Sequence, residues 1–230
     1  NELVIKLVDN IMLIAPYGVF ALIADTITSI AGENIKNVLE LLGALGFYMF
    51  AVVIGLTLQT LFTYTLVLKL FSKISIKKFY RGLAPAQLLA FSTSSSGATL
   101  PVTMERCEEK LGVSEEVSSF VLPLGATINM DGTAIMQGMA TIFIANIYNV
   151  DLLFIDYLSI ILTATLASVG TAGVPGVGII MLGMVLTQVG LPLEGVAIVI
   201  GVDRLLDMLR TALNVSGDAM VTLVIDKSEK

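Results

Sequence analysis

Asp131 sits in Asn129-Met130-Asp131-Gly132-Thr133, between Val117 to Met130 and Gly132 to Val150, neither of which carries a charge. Nearer the C-terminus, Asp203, Asp207, Arg210, Asn214 and Asp218 fall at i, i+4, i+7, i+11 and i+15. At about 100° per residue these five share one helical stripe roughly 80° wide, with Thr211 at its edge. Their neighbours are Leu, Ile, Val, Met and Ala, which is not the composition of a solvated face. A charge at the centre of a bilayer costs about 2.5–3.5 kcal/mol on insertion scales, so such residues are functional candidates by default. Four Asp against one Arg leave −3 if all ionise. Bound alkali cations, held by carboxylates and backbone carbonyls, would relieve that charge; protonation of some Asp is the alternative.

Two further stretches offer donors. Ser94-Ser95-Ser96-Gly97 and Gly170 to Gly178 put hydroxyls and free N–H groups at helix N-termini, a favourable place for a carboxylate. Arg210 can grip a second carboxylate in bidentate fashion, and Asp207, one turn away, can pair with an ammonium. Together these groups ask for a small ligand carrying two carboxylates and an amine.

The elements that must position them are membrane spans. The chain has 230 residues, 56% of them hydrophobic and only 14% charged, with a mean hydropathy of +0.90; soluble domains carry roughly 25% charge. A net charge of −6 has the wrong sign for a nucleic-acid surface. Histidine is absent and Cys107 is the only cysteine, which excludes His/Cys zinc sites, disulfide scaffolds and Ser-His or Cys-His nucleophiles. The start, Asn1-Glu2-Leu3, shows no signal peptide and reads as part of a longer membrane protein.

A span needs about 20 apolar residues. Leu41 to Leu68, 28 residues without a charge, is expected to be an ordinary span, and Leu3 to Ile30 another. Gly82 to Met104 has 23 uncharged residues but is interrupted by the serine run and Pro101. Tyr157 to Leu193 has 37, with Gly170-Thr171-Ala172-Gly173-Val174-Pro175-Gly176 at its middle; a continuous helix would be roughly 55 Å long. Each is expected to be two half-helices that enter and leave by one face, with a tip at membrane depth, which is tolerated only where backbone is buried in protein or lines a cavity. A span from Val117 to Val150 separates them, and a last span follows.

Basic residues mark the cytoplasmic side. Lys69, Lys73, Lys77, Lys78 and Arg81 crowd one connection; placing it inside puts Lys6, Arg106, Lys110, Lys227 and Lys230 inside as well, with Glu33 to Lys36 and Asp151 outside. Ten of the thirteen basic residues then lie inside. The fold expected is an all-α membrane protein whose transmembrane helices include two re-entrant helical hairpins in an inverted repeat. Residues 1–72 would be two spans, the first scaffold-like, and residues 73–230 a transport core. Inverted repeats with broken helices mark secondary transporters that bind substrate near the midplane.

At Ser94-Ser95-Ser96-Gly97-Ala98-Thr99-Leu100-Pro101, Gly125 to Thr133, Ser168 to Gly178 and Asp203 to Asp218 the sequence resembles the dicarboxylate/amino acid:cation symporter family of glutamate and aspartate transporters. The resemblance covers nearly the whole chain and corresponds to the C-terminal part of the family pattern, from the fifth span onward. It implies an elevator mechanism, a homotrimer when full length, lipid and an acidic amino acid as partners, no nucleic acid, and the plasma (inner) membrane of a prokaryote. It further implies that Asp207 holds the substrate amine and that Arg210 and Thr133 hold its side-chain carboxylate. Asn214, Thr211 and Ser96 would hold its main-chain carboxylate, with Ser95 also among the substrate-binding residues and Val174 and Gly178 closing over it. No cofactor is implied; the coupling ions are Na+, with H+ as the alternative. One sodium would take Gly125, Asn129, Asn214 and Asp218, a second the backbone oxygens of Thr127, Ser168, Val169 and Thr171, and a third Asn129 and Asp131 with partners in a span this sequence lacks.

Several positions depart from the family pattern. Archaeal members place an extra Arg where this chain has Ser94, and animal members beside Asp207, where this chain has Met208. Gln137 stands where animal members have a proton-carrying Glu, which argues against potassium counter-transport. Asp218 keeps the carboxylate that some proton-coupled relatives replace, which favours sodium over a proton-coupled glutamate/aspartate or dicarboxylate symporter. An intramembrane aspartyl protease using Asp131 and Asp207 is the remaining alternative; it needs the two carboxylates close enough to share a proton, and it gives Arg210 no role.

Overall fold

A computed structural model describes residues 35–72 and 74–229, with isolated positions at Tyr17, Gly18, Phe20, Ala21, Ala24 and Thr28. The span expected from Leu3 to Ile30 lies, those positions aside, outside the described residues, as do Lys6, Glu33, Lys73 and Lys230. All regular structure among the described residues is helical.

Helix α1 (Ile35–Leu58) begins before the ordinary span expected from Leu41 to Leu68 and, with its less regular continuation to Ser72, ends beyond it. It runs on through a π-helical turn at Gln59–Tyr64, a helical turn at Thr65–Val67 and a second π-helical turn at Leu68–Ser72. Side chains account for the first irregularity: Thr65 Oγ1 (3.2 Å) and Tyr80 Oη (3.4 Å) both donate to the Thr60 carbonyl, and groups inserted into the backbone ladder distort it. Val38–Ser72 is the one stretch among the described residues whose length and apolarity alone suffice to cross a membrane.

Two helix pairs follow at the interrupted stretches. Helix α2 (Ile76–Thr93) starts on the Ser75 cap and stops at Ser94, whose φ of 52° is left-handed. Helix α3 (Ser96–Arg106) starts at once, capped by Ser95 Oγ, and ends in a π-helical turn at Cys107–Leu111. The pair is antiparallel, because Gly82 packs directly on Lys110 and Leu111. Helices α6 (Phe154–Val169) and α7 (Val177–Gln188) form the second pair, with Ile160, Ala164, Ala167 and Val185 packed between them. With 16 and 12 residues these arms reach about 24 and 18 Å, short of the roughly 30 Å hydrocarbon core.

Between the pairs, the broken span expected from Val117 to Val150 is two helices, α4 (Glu115–Ile128) and α5 (Asp131–Ile147). Asn129 (φ −94°, ψ 77°) and Met130 (φ −113°, ψ 50°) leave the helical region. The break arises from close contact with the last helix: Asn214 Oδ1 accepts from Gly132 N at 2.8 Å, and a Cβ on Gly132 would lie 2.8 Å from Arg210 Cβ and 2.9 Å from Arg210 O. Asp131, near the middle of the span, is therefore the first residue of α5.

Helix α8 (Val196–Ser228) is the central post, in contact with α1, α2, α3, α4, α5 and α7. The whole polar stripe from Asp203 to Asp218 faces these neighbours and is buried. Ser114 N donates to Asp226 at 2.9 Å, which brings the C-terminal end of α8 to the same end of the bundle as Lys110 and the base of α2. The exterior is apolar, with Phe47 (73%), Phe120 (72%) and Ile180 (72%) among many exposed large side chains. Soluble monomers rarely carry such surface.

Candidate functional site

The tips of the two helix pairs touch. Gly97 N donates to Gly173 O at 3.0 Å and Ser95 Oγ to the same oxygen at 2.6 Å. Between the tips, the α4–α5 break and α8 lies a narrow cleft of about 20 Å³. Ser96 and Thr133 stand on its wall, as do Val174 and Gly178 from the second pair. Helix α8 contributes Asp207, Arg210, Thr211 and Asn214. Ser95, expected among the substrate contacts, is not on the wall: its hydroxyl caps α3 through Ala98 N (3.1 Å) and reaches across to Gly173. Ser94 stands there instead, buried, with no hydrogen bond to its hydroxyl.

Arg210, 2% exposed, is already engaged by side chains of its own helix. NH1 lies 2.7 Å from Asp203 Oδ1, NH2 3.5 Å from Asp203 Oδ2, and Nε 3.0 Å from Asp207 Oδ1. The spacing explains this, since residues three and seven apart lie on one helix face. Asp203, Arg210 and Asp207 thus form one buried ion triad. Asp207 Oδ2 in turn accepts from Gly176 N at 3.0 Å, which ties the second tip to α8. Below it, Gln137 Nε2 donates to Gly178 O at 3.1 Å.

The residues expected around cations fall in three places. Asp218 Oδ1 accepts from Asn129 Nδ2 at 2.9 Å, and Gly125 packs on the same carboxylate. Asn214, one turn before Asp218 on α8, spends its Oδ1 on Gly132 N and points Nδ2 at Met130 Sδ (3.2 Å) and Thr133 Oγ1 (3.4 Å). Ser168 and Thr171 are buried near the second tip, where Ser168 O accepts from Thr171 N at 3.1 Å. Val169 is 40% exposed, and Thr127, at the surface, bonds its own helix at Leu124 O. Asp131 has partners that sequence reasoning missed: Gln59 Nε2 and Tyr64 Oη each donate to its Oδ2 at 2.9 Å. Asp131 and Asp207 form no shared-proton dyad, because their hydrogen bonds run to Gln59 and Tyr64 in one case and to Arg210, Thr211 and Gly176 in the other. Among the described residues no group of three His, Cys, Asp or Glu side chains gathers as a metal centre.

Residues 1–228 match the family model described as Sodium:dicarboxylate symporter family. The chain belongs to this family. An excitatory amino acid transporter of Caenorhabditis elegans is 44% identical over 220 residues, which are 96% of this chain and 43% of that protein. Another from Onchocerca volvulus is 42% identical over 220 residues, 96% of this chain and 44% of that protein. Excitatory amino acid transporter 1 of Homo sapiens is 41% identical over 226 residues, 98% of this chain and 41% of that protein. The chain thus spans about two fifths of the length of the curated relatives it matches. Family and relatives are transporters and not enzymes, so the chain is part of an integral membrane protein of all-helical fold, and the aspartyl protease alternative falls.

Proposed function

We propose that the full-length protein is a secondary transporter that takes up glutamate or aspartate by cation-coupled symport, with sodium as the coupling ion. The observation that carries this reading is the buried Asp203–Arg210–Asp207 triad facing a cleft closed by two helix tips. A guanidinium with unused N–H groups binds a carboxylate, while the surplus carboxylate charge of the triad receives an ammonium. An arriving acidic amino acid satisfies both at once, and Thr133, Thr211, Asn214, Ser96 and the backbone of Val174 and Gly178 complete its contacts. Asp218 with Asn129 and Gly125, the backbone near Thr127, Ser168, Val169 and Thr171, and Asp131 with Asn129 are the sites at which sodium neutralises the remaining acid. Sodium here is cargo and travels with the amino acid.

The arms of the second helix pair are too short to cross alone, and the first pair turns back at Ser94 and Ser95, which supports re-entrant hairpins arranged as an inverted repeat, with the end bearing Lys77, Lys78, Arg81, Lys110 and Lys227 in the cytoplasm. In this reading residues 73–230 form a core that slides as an elevator against a scaffold to which the first span belongs, in a homotrimer. Residues 1–72 therefore divide, because the packing of α1 on α5 and α8 favours its moving with the core. The membrane is the plasma membrane, and Met208 and Gln137, which depart from the animal pattern, favour a prokaryotic one. Uptake of radiolabelled aspartate and glutamate into proteoliposomes of the full-length protein, under separately imposed sodium and proton gradients, tests the reading. Uptake driven by a sodium gradient alone is expected. A response to the proton gradient alone would instead establish the proton-coupled alternative, and no uptake of either amino acid would refute the assignment.

A further inference from the structure

The π-helical turn at Gln59–Tyr64 begins and ends on the two residues that hydrogen-bond Asp131. On a regular α-helix residues five apart point about 140° away from each other. A π-turn, closed by i→i+5 bonds, brings them onto one side, and π-turns recur at functional sites. Both donors converge on a single atom, Oδ2, and Oδ1 receives no hydrogen bond from the described residues. Thr63 Oγ1 donates to Gln59 Oε1 at 3.0 Å, which turns the Gln59 amide so that its NH2 faces the carboxylate. Helix α8 makes room for this arrangement: a Cβ on Gly217 would lie 2.5 Å from Tyr64 Oη and 2.7 Å from Asn129 Nδ2. The buried Tyr64 hydroxyl thus lies against Asn129, whose amide holds Asp218.

From this geometry we infer that Gln59 and Tyr64 are positioning residues for cation binding at Asp131: the π-turn pins one carboxylate oxygen so that the other is presented to the ion. The inference rests on the cation-coupled reading above. Partners of this kind orient a ligand group without touching the ion, and their removal typically weakens metal affinity about 10- to 100-fold.

The test is sodium-dependent thermal stabilisation of the purified full-length protein, with sodium-dependent aspartate uptake measured in parallel. Ligand that binds only the folded state raises the midpoint with its own saturation curve, so the half-saturating sodium concentration is read without transport. Tyr64→Phe and Gln59→Met are each expected to raise that concentration by about tenfold, and neither should raise it further in an Asp131→Asn background. A merely structural role would lower the midpoint without sodium and leave the half-saturating concentration in place. Unchanged half-saturation in both variants, or an equal shift in the Asp131→Asn background, would overturn the inference; should Tyr64→Phe fail to fold, Gln59→Met decides alone. A parent protein that is indifferent to sodium overturns the coupling reading and this inference together, whereas a sodium-responsive parent whose variants keep its half-saturating concentration overturns this inference only.

Discussion

Replacing Arg210 with Cys removes the one guanidinium in the cleft. Of its five N–H donors, three point at Asp203 and Asp207, and the remaining two are free for an incoming carboxylate. A hydrogen bond to a charged group is worth about 1.5–3 kcal/mol, so the substrate loses about 3–6 kcal/mol of binding. At about 1.4 kcal/mol per tenfold change, KM for aspartate and glutamate rises by at least about a hundredfold. Serine, which carries no side-chain carboxylate, is expected to become a substrate. The same change leaves Asp203 and Asp207, each 6% exposed, without a counter-charge, and breaking a buried pair costs about 3–5 kcal/mol. The variant is therefore purified and its folding verified before uptake is measured, with Asp203→Asn added to reduce the uncompensated charge. Uptake of labelled aspartate, glutamate and serine by the full-length protein in proteoliposomes gives the three KM values. Acidic uptake with an unchanged KM in a folded Arg210→Cys protein would refute the role assigned to the triad.

Three other substitutions, with Gly183→Ala as a control, probe separate parts of the site. Asp218→Asn keeps the shape but removes the charge that Asn129 and Gly125 surround; the sodium titration of uptake should move to higher concentration, and an unaltered titration would remove Asp218 from the cation site. Gly173→Ala puts a methyl 2.9 Å from Ala126 O and 3.0 Å from Gly97 N, backbone atoms that cannot step aside. An overpacking cost of about 1–3 kcal/mol and reduced uptake are expected in thermal melts and transport assays, whereas Gly183→Ala, which meets only Leu193 at 3.4 Å, should behave as the parent. Ser95→Ala removes the α3 cap and one of the two bonds between the tips; a loss of about 0.5–2 kcal/mol in stability is expected with little change in substrate KM, and a large KM increase would return Ser95 to the cleft wall.

The sequence by itself determined that charges lie inside hydrophobic helices and which charges they are. Helical period alone puts Asp203, Asp207, Arg210, Asn214 and Asp218 on one stripe, and glycine and serine runs alone mark where two long apolar stretches must break, because both signals are local. Tertiary structure decided what those groups bond to. That Arg210 closes on Asp203 and Asp207 depends on the rotamers that neighbouring helices leave open, and the break before Asp131 depends on Gly132 pressing against α8 from 78 positions away in the chain. Gln59 and Tyr64 were invisible for the most physical reason of all. Their five-residue spacing fits neither the helical nor the strand period, and only a π-turn, whose Thr60 carbonyl is engaged by Tyr80 of another helix, turns both toward one carboxylate.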